Sequence, residues 1–309
     1  MTAVPHELRP SRSVLAVPAS NRRMVEKAIT SAADMIFLDL EDAVAPSEKA
    51  GSRDEVIRAF RDLSWGSKPR MYRVNALATP WFCRDLINVV EAVGDQIDLV
   101  LIPKVERPED VLVVSTLLSQ IEAAVGLGRR IGIEVQIESA AGVLAAERIA
   151  AADDRIEAIV FGPGDFAASI GMPMTSIGAF DEGGIAYPGH RLHGVMQHLV
   201  LAGRAAGVRV IDGPFADLRD TTGLRRSSEI ARALGFDGKW CIHPAQIDTI
   251  NDVFSPTEAD LAWARRVVDA YEQSLADGQG AMSVDGRMVD AASVRIAELT
   301  LQRRGGTKI

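Results

Sequence analysis

Cysteine is almost missing from this chain. Cys83 and Cys241 are the only two, far apart and outside any C-x-x-C spacing, which excludes a disulfide framework and a thiolate zinc site. Both are expected to be buried and inert. No apolar run approaches the ~20 residues of a membrane span, and Met1 to Arg12 is polar and holds prolines in place of the apolar core of a signal peptide. A cytoplasmic protein without a membrane partner is the expectation. Positive charge is also short: 34 Lys and Arg face 42 Asp and Glu, a formal net charge of −8, which leaves no footprint for nucleic acid. No G-x-S-x-G elbow occurs, and the first apolar run ends in Val17-Pro18-Ala19-Ser20-Asn21 without the G-x-G-x-x-G turn of a dinucleotide-binding sheet.

What is present is the makeup of an ordinary globular protein: 47% hydrophobic and 25% charged residues suffice for a full core. Short β-rich apolar runs recur eight times, at Val14–Val17, Met35–Leu40, Met71–Val74, Leu99–Ile102, Ile131–Ile137, Ala158–Phe161, Val208–Ile211 and Lys239–Ile242. Helical periodicity lies between them, over Asn21–Ser31, Ser47–Phe60, Thr79–Val93, Arg107–Ala124, Ser139–Ala152, Arg191–Ala206 and Leu224–Leu234. Thr79-Pro80 and Ser47-Glu48 carry the hydroxyl, proline and acid expected at helix starts. Alternating buried strands and helices predict a parallel sheet, and eight repeats predict an α/β fold closed as a (β/α)8 TIM barrel, with an open doubly wound sheet as the alternative. Near Phe254 the pattern changes: Ser255-Pro256-Thr257 opens a helix through Leu275, the Gly-rich Asp277–Gly280 follows, and a last helix starts near Ala291. The expected domains are a barrel over residues 1–254 and a small C-terminal helical appendage over residues 255–309.

In such a barrel the strand C-termini and the loops after them build the active site. Seven of the eight ends carry a charged or titratable side chain, among them Asp39 to Asp42, Arg73, Lys104, Glu138, Asp165, Asp212 and His243. Glu138 and Asp165 end consecutive strands, and two carboxylates suit a hard cation such as Mg2+, leaving octahedral positions for water and substrate. The plain alternative is two acids at helix N-termini. Gly162 and Gly164, around Pro163, let the backbone turn Asp165 inward and let a ligand approach. Arg73 can engage a carboxylate or a developing enolate oxygen, or else pair with Asp39 or Glu41. Arg23 and Lys27, four apart on the first helix, can meet phosphates of a bulky cofactor or form a solvated face, and Lys49 and Lys104 share that ambiguity. His243, between Ile242 and Pro244, fits a catalyst or a satisfied structural group. His190 and His193 have no third histidine or cysteine to complete a metal set and read as surface or interface residues.

These residues resemble the citrate lyase β-subunit-like (HpcH/HpaI aldolase/citrate lyase) family of CoA-ester lyases, which includes malyl-CoA and citramalyl-CoA lyases. The similar segments are Val14–Pro18, Leu38–Val44, Arg73–Asn75, Ile102–Glu106, Ile137–Ala140, Val160–Phe166, Gly238–Gln246 and Met288–Asp290, in order across nearly the whole chain. Phe166–Pro173 looks particularly like the malyl-CoA lyase branch. The resemblance implies Mg2+, with Mn2+ as a substitute, on Glu138 and Asp165, and substrate on Arg73. It also implies coenzyme A phosphates near Arg23 and Lys27, with Asp42, Lys104, Gly162, Gly164, Ile242 and His243 around the ligand. Asp290 becomes a catalytic acid reaching a neighbouring subunit's barrel, in a homotrimer or dimer of trimers. Two departures stand out: Ala16 replaces an aromatic residue at the first strand end, and Ala291 replaces the proline after Met-x-Asp.

The implied reaction is cleavage, or formation by Claisen-type condensation, of a 3-hydroxyacyl-CoA such as malyl-CoA, β-methylmalyl-CoA or citramalyl-CoA, with glyoxylate or pyruvate as the oxo acid. Alternatives are a malyl-CoA-type thioesterase, a CoA-free 2-keto-4-hydroxy acid aldolase, and a non-catalytic CoA-binding subunit.

Overall fold

The computed structural model describes residues 9–180, 190–276, 278 and 280–303. The expectations placed on the first eight residues and on Tyr187, Pro188 and Gly189 lie outside them. Two compact units emerge, one on Ser11–Asn251 and the other on the chain from Asp252 onward together with Arg9 and Pro10.

In the first unit, eight parallel strands pair in chain order and close on themselves: β1 (Ser13–Pro18), β2 (Met35–Asp39), β3 (Arg70–Arg73), β4 (Leu99–Ile102), β5 (Gly132–Ile137), β6 (Ile156–Phe161), β7 (Arg209–Asp212) and β8 (Gly238–Cys241). The closing pair is Val14 against Trp240. All eight expected apolar runs are strands. Most residues within them are fully buried, because helices cover the outer face while side chains fill the inner one. The barrel interior holds Met35 and Phe37, Leu99 and Leu101, Ala158 and Val160, with Trp240 against Phe37 at 4.7 Å between ring centroids. Burying each such side chain contributes about 1.5–3 kcal/mol. Beneath them, the buried Arg209 meets Glu134 at 2.9 Å and Glu157 at 3.5 Å.

Helix boundaries differ from expectation where local chemistry decides. Thr79-Pro80 does not start a helix: the Thr79 hydroxyl donates to the Ala76 carbonyl, and the helix begins at Phe82. Ser47 and Glu48 lie in a 3-10 turn before the helix Lys49–Asp62. The segment expected as one helix over Ser139–Ala152 is two short ones, Ala140–Leu144 and Ala146–Ala150. Cys83 is exposed, against the expectation of burial, while Cys241 is buried.

The second unit packs the helix Glu258–Ala276 and the helix Ala291–Gln302 around Ala264, Val267, Val289 and Ala297. It is not purely helical. An antiparallel hairpin joins β9 (Ala281–Val284) to β10 (Arg287–Asp290), with Val284 opposite Arg287. Its two-residue turn, Asp285-Gly286, has φ of 50° and 77°, the left-handed pair that suits the twist of a tight hairpin. No described helix is long and apolar enough to cross a membrane.

Candidate active site

Strand alternation decides which polar residues face inward. Asp39 follows Phe37 by two, Arg73 follows Met71 by two, and Glu134, Gln136 and Glu138 share one face of β5 and its end. Polar side chains therefore stand on the apolar plug at the C-terminal mouth. Arg73 is buried there and grips Asp39 with both arms, Nε to Oδ1 at 2.7 Å and Nη2 to Oδ2 at 2.6 Å. Its Nη1 donates to Gln136 Oε1 at 3.2 Å and lies 2.8 Å from Glu41 Oε2. The guanidinium carbon sits 5.7 Å and 5.6 Å from the ring centroids of Phe37 and Trp240. The ion pairs with Asp39 and Glu41, one of the roles open to Arg73, are formed. Burial opposes its charge, but Asp39, Glu41 and Asp42 raise its pKa further above the usual arginine value. Asp39, opposed by burial in the same way, is held below the usual carboxylate range by Arg73 and by N–H groups of Glu41 and Ala43.

Lys49 and Lys104 resolve in different ways. Lys49 is buried, and its Nζ donates to the carbonyls of Leu40 and Glu41 at 2.8 and 2.6 Å, so it braces the loop after β2 from below. Lys104 stays at the mouth, where its Nζ reaches Glu41 at 2.9 Å and Asp42 at 3.4 Å. Its backbone has φ of 54°, an uncommon left-handed value for a side-chain-bearing residue, and its N–H donates to Glu138 Oε1 at 2.8 Å. Asp42 is half exposed beside it.

Glu138 is buried, 2% exposed, and its Oε2 accepts from Gln136 Nε2 at 2.5 Å. Burial, then Glu41, then Asp165 push its carboxyl up to about 9. Asp165 lies in the first turn of the helix Pro163–Ser169, exposed, and its charge helps raise the Glu138 carboxyl. Gly162 makes that turn fit: a Cβ there would stand 2.4 Å from Glu138 Cβ and 2.5 Å from its Oε2. A Cβ on Gly164 would meet only the end of Ile177.

Among the described residues no group of three or more His, Cys, Asp or Glu forms a metal cage. Mg2+ does not need one, because it binds through one or two carboxylates and keeps several waters. The charge balance favours a cation. Asp39, Glu41, Asp42 and Asp165 are four acids beside the three cations Lys49, Arg73 and Lys104, so 4 − 3 leaves one negative charge while Glu138 keeps its proton, and Glu138 adds a second only when a cation displaces that proton. A divalent ion held by Glu138 and Asp165 would offset that excess.

The remaining candidates are spread out. Arg23 and Lys27 are exposed on the helix Arg22–Ile29, while Arg22 is engaged by Glu26 and Asp62. Ile242 is 40% exposed just past β8, and its N–H donates to Gln246 Oε1 at 2.9 Å. His243 Nδ1 accepts the Ala245 N–H at 3.2 Å and caps a 3-10 turn. His190 is half buried against Phe180 and His193 is exposed at a helix start. Asp290 belongs to the second unit, where it caps the helix Ala291–Gln302 by accepting from the Ser293 N–H at 3.0 Å. Those contacts hold its carboxyl below the usual range. The sequence reading missed Gln136, although its alternation with Glu134 and Glu138 is a visible signal.

A family model described as HpcH/HpaI aldolase/citrate lyase matches residues 12–244. The L-malyl-CoA/beta-methylmalyl-CoA lyase of Rhodobacter capsulatus is 41% identical, over 100% of this chain and 99% of that one. The (3S)-malyl-CoA thioesterase of Cereibacter sphaeroides is 37% identical over 96% of both chains. Among solved structures, protein CitE from Mycobacterium tuberculosis in complex with magnesium, acetoacetate and coenzyme A superposes with a TM-score of 0.75 at 29% identity, covering 96% of this chain and 99% of that one.

Proposed function

The chain belongs to the HpcH/HpaI aldolase/citrate lyase family, and from that premise we propose that it is a Mg2+-dependent carbon–carbon lyase acting on a 3-hydroxyacyl-CoA of the malyl-CoA or β-methylmalyl-CoA type. The observation that carries this reading is the buried Glu138, its carboxyl raised in part by Asp165, in a mouth where acids outnumber cations and an arginine lies on the floor. Glu138 and Asp165 would hold Mg2+. When bound, the ion supplies a Lewis acid for a hydroxyl and an adjacent carboxylate.

In cleavage the bond between the α- and β-carbons of the thioester breaks. The β-hydroxyl gives its proton to solvent water at the open mouth and becomes the carbonyl of the oxo acid, the bonding pair passes to the thioester enolate, and the acid that protonates that enolate is recharged from solvent. Arg73, fixed by Asp39, offers its one remaining N–H, on Nη2, to the anion. Asp290 protonates the α-carbon in cleavage and removes that proton in condensation, acting on the barrel of a neighbouring copy in a homo-oligomer. Arg23 and Lys27 meet the coenzyme A phosphates.

Incubation of the protein and Mg2+ with malyl-CoA, β-methylmalyl-CoA and citramalyl-CoA, followed by mass spectrometry, tests the reading. Acyl-CoA together with glyoxylate or pyruvate is the expected outcome. Free CoA with the intact hydroxy acid would instead support thioester hydrolysis, the reading favoured by the similarity to the thioesterase.

A further inference from the structure

Gln136 is buried, 3% exposed, and both ends of its amide are used: Oε1 accepts from Arg73 Nη1 at 3.2 Å, and Nε2 donates to Glu138 Oε2 at 2.5 Å. The orientation is dictated by its neighbours. A guanidinium has only donors, so the amide oxygen must face Arg73, and the NH2 is then left for the carboxylate. Arg73 is itself locked by two bonds to Asp39, so this orientation is inherited from β2 and β3. The other oxygen of Glu138 is held by the Lys104 N–H at 2.8 Å, from a residue in a left-handed backbone conformation. Gly162 leaves room on the far side that a side chain would take: a Cβ there would come within 3.1 Å of Gln136 Nε2. Each Glu138 oxygen thus has one fixed donor and keeps further lone-pair capacity.

We propose that Gln136 is a positioning residue that aims the Glu138 carboxylate at a divalent cation, relaying the orientation of Arg73 to the metal ligand. No other uncharged side chain of this length pairs with a guanidinium at one end and a carboxylate at the other. Methionine would fill the volume and lose both bonds. Glutamate would keep the acceptor toward Arg73 and set a like charge against Glu138. This inference rests on Glu138 and Asp165 being the metal site.

The test is Mn2+ titration of the full chain without substrate, following the free-ion signal by electron paramagnetic resonance, for the wild type, Gln136→Met and Gln136→Glu. Loss of such an outer support weakens metal binding about 10–100-fold, and both variants are expected in that range. Melting temperature in EDTA is read beside it; a packing role alone would move the melting point and leave Mn2+ affinity in place. Wild-type Mn2+ affinity in a folded Gln136→Met protein overturns the inference. If that variant does not fold, Gln136→Glu decides by the same criterion. A wild type that binds no Mn2+ overturns the metal site itself, and this inference with it.

Discussion

At Arg73 a lysine would keep the charge and lose the fork. The two parallel bonds to Asp39 cannot both be made by one ammonium, and the contact with Gln136 would be lost at the same time. Arg73→Lys is expected to lower kcat/KM by about 10²–10³-fold, the cost of removing a preorganised donor, with an unchanged far-UV circular dichroism spectrum. A change below threefold would leave Arg73 a structural partner of Asp39 and nothing more. Arg73, Glu138 and Asp165 are legible in the sequence because each ends an apolar strand, and strand ends are where a barrel places its chemistry. What is not legible is who bonds whom. Parity puts Asp39, Arg73 and Gln136 on one face, but the choice of Asp39 over Glu41 as the bidentate partner depends on the register of β2 against β3, where Asp39 stands directly opposite Arg73. Lys49 shows the same limit from the other side: nothing in its neighbours along the chain announces that its amine turns inward to two carbonyls.

Elements set the tolerance of the site to change. Gly162 has φ of −103°, which any residue adopts, so space alone and not backbone freedom demands glycine between β6 and the helix Pro163–Ser169. Gly162→Ala is expected to push Glu138 off its position and weaken Mn2+ binding by about 10-fold or more, measured by calorimetric titration; unchanged affinity would mean that Glu138 is not a ligand. The helix Ala291–Gln302 gives a cleaner probe of chemistry. Asparagine caps a helix as well as aspartate does, whereas alanine costs about 1 kcal/mol. Asp290→Asn should therefore keep the melting temperature and still reduce kcat about 10²–10⁴-fold, the usual share of a general acid or base. Retained turnover removes Asp290 from the mechanism. The departure at Ala291 is mild on the same grounds, since proline at the first helical position only pre-sets a backbone angle that alanine also adopts. The eight strands and most helices are legible from periodicity because each buries a continuous face. The hairpin of β9 and β10 is not so marked: its burial alternates weakly, and Asp285-Gly286 is its one strong local signal.

At the scale of the whole molecule, charge and assembly become measurable. If Asp290 serves a neighbouring copy, Glu138→Gln and Asp290→Asn chains, each inactive alone, should complement when co-expressed. Random mixing gives about one quarter of sites an intact barrel and an intact acid from different chains, whereas an acid serving its own barrel gives none. The raised Glu138 carboxyl leads to a second, independent measurement. Without metal, Glu138 has a folded-state pKa of about 9 against 4.5 for the free side chain. Between those values the folded chain holds a proton that the unfolded chain has lost, so this group's contribution to stability is full below pH 4.5 and declines as pH rises through about 9. The melting temperature in EDTA should therefore fall from pH 6 to pH 9 by more than in a Glu138→Gln variant, which has no carboxyl to titrate. A metal ion demands the carboxylate, so binding at pH 7 must expel that proton. Calorimetric titration of Mg2+ in two buffers of different ionisation enthalpy should count about one proton released per site, with affinity rising as pH increases toward 9. A proton count of zero would mean that the ion binds away from Glu138, and the two carboxylates would then be only the acids that begin two loops of the barrel.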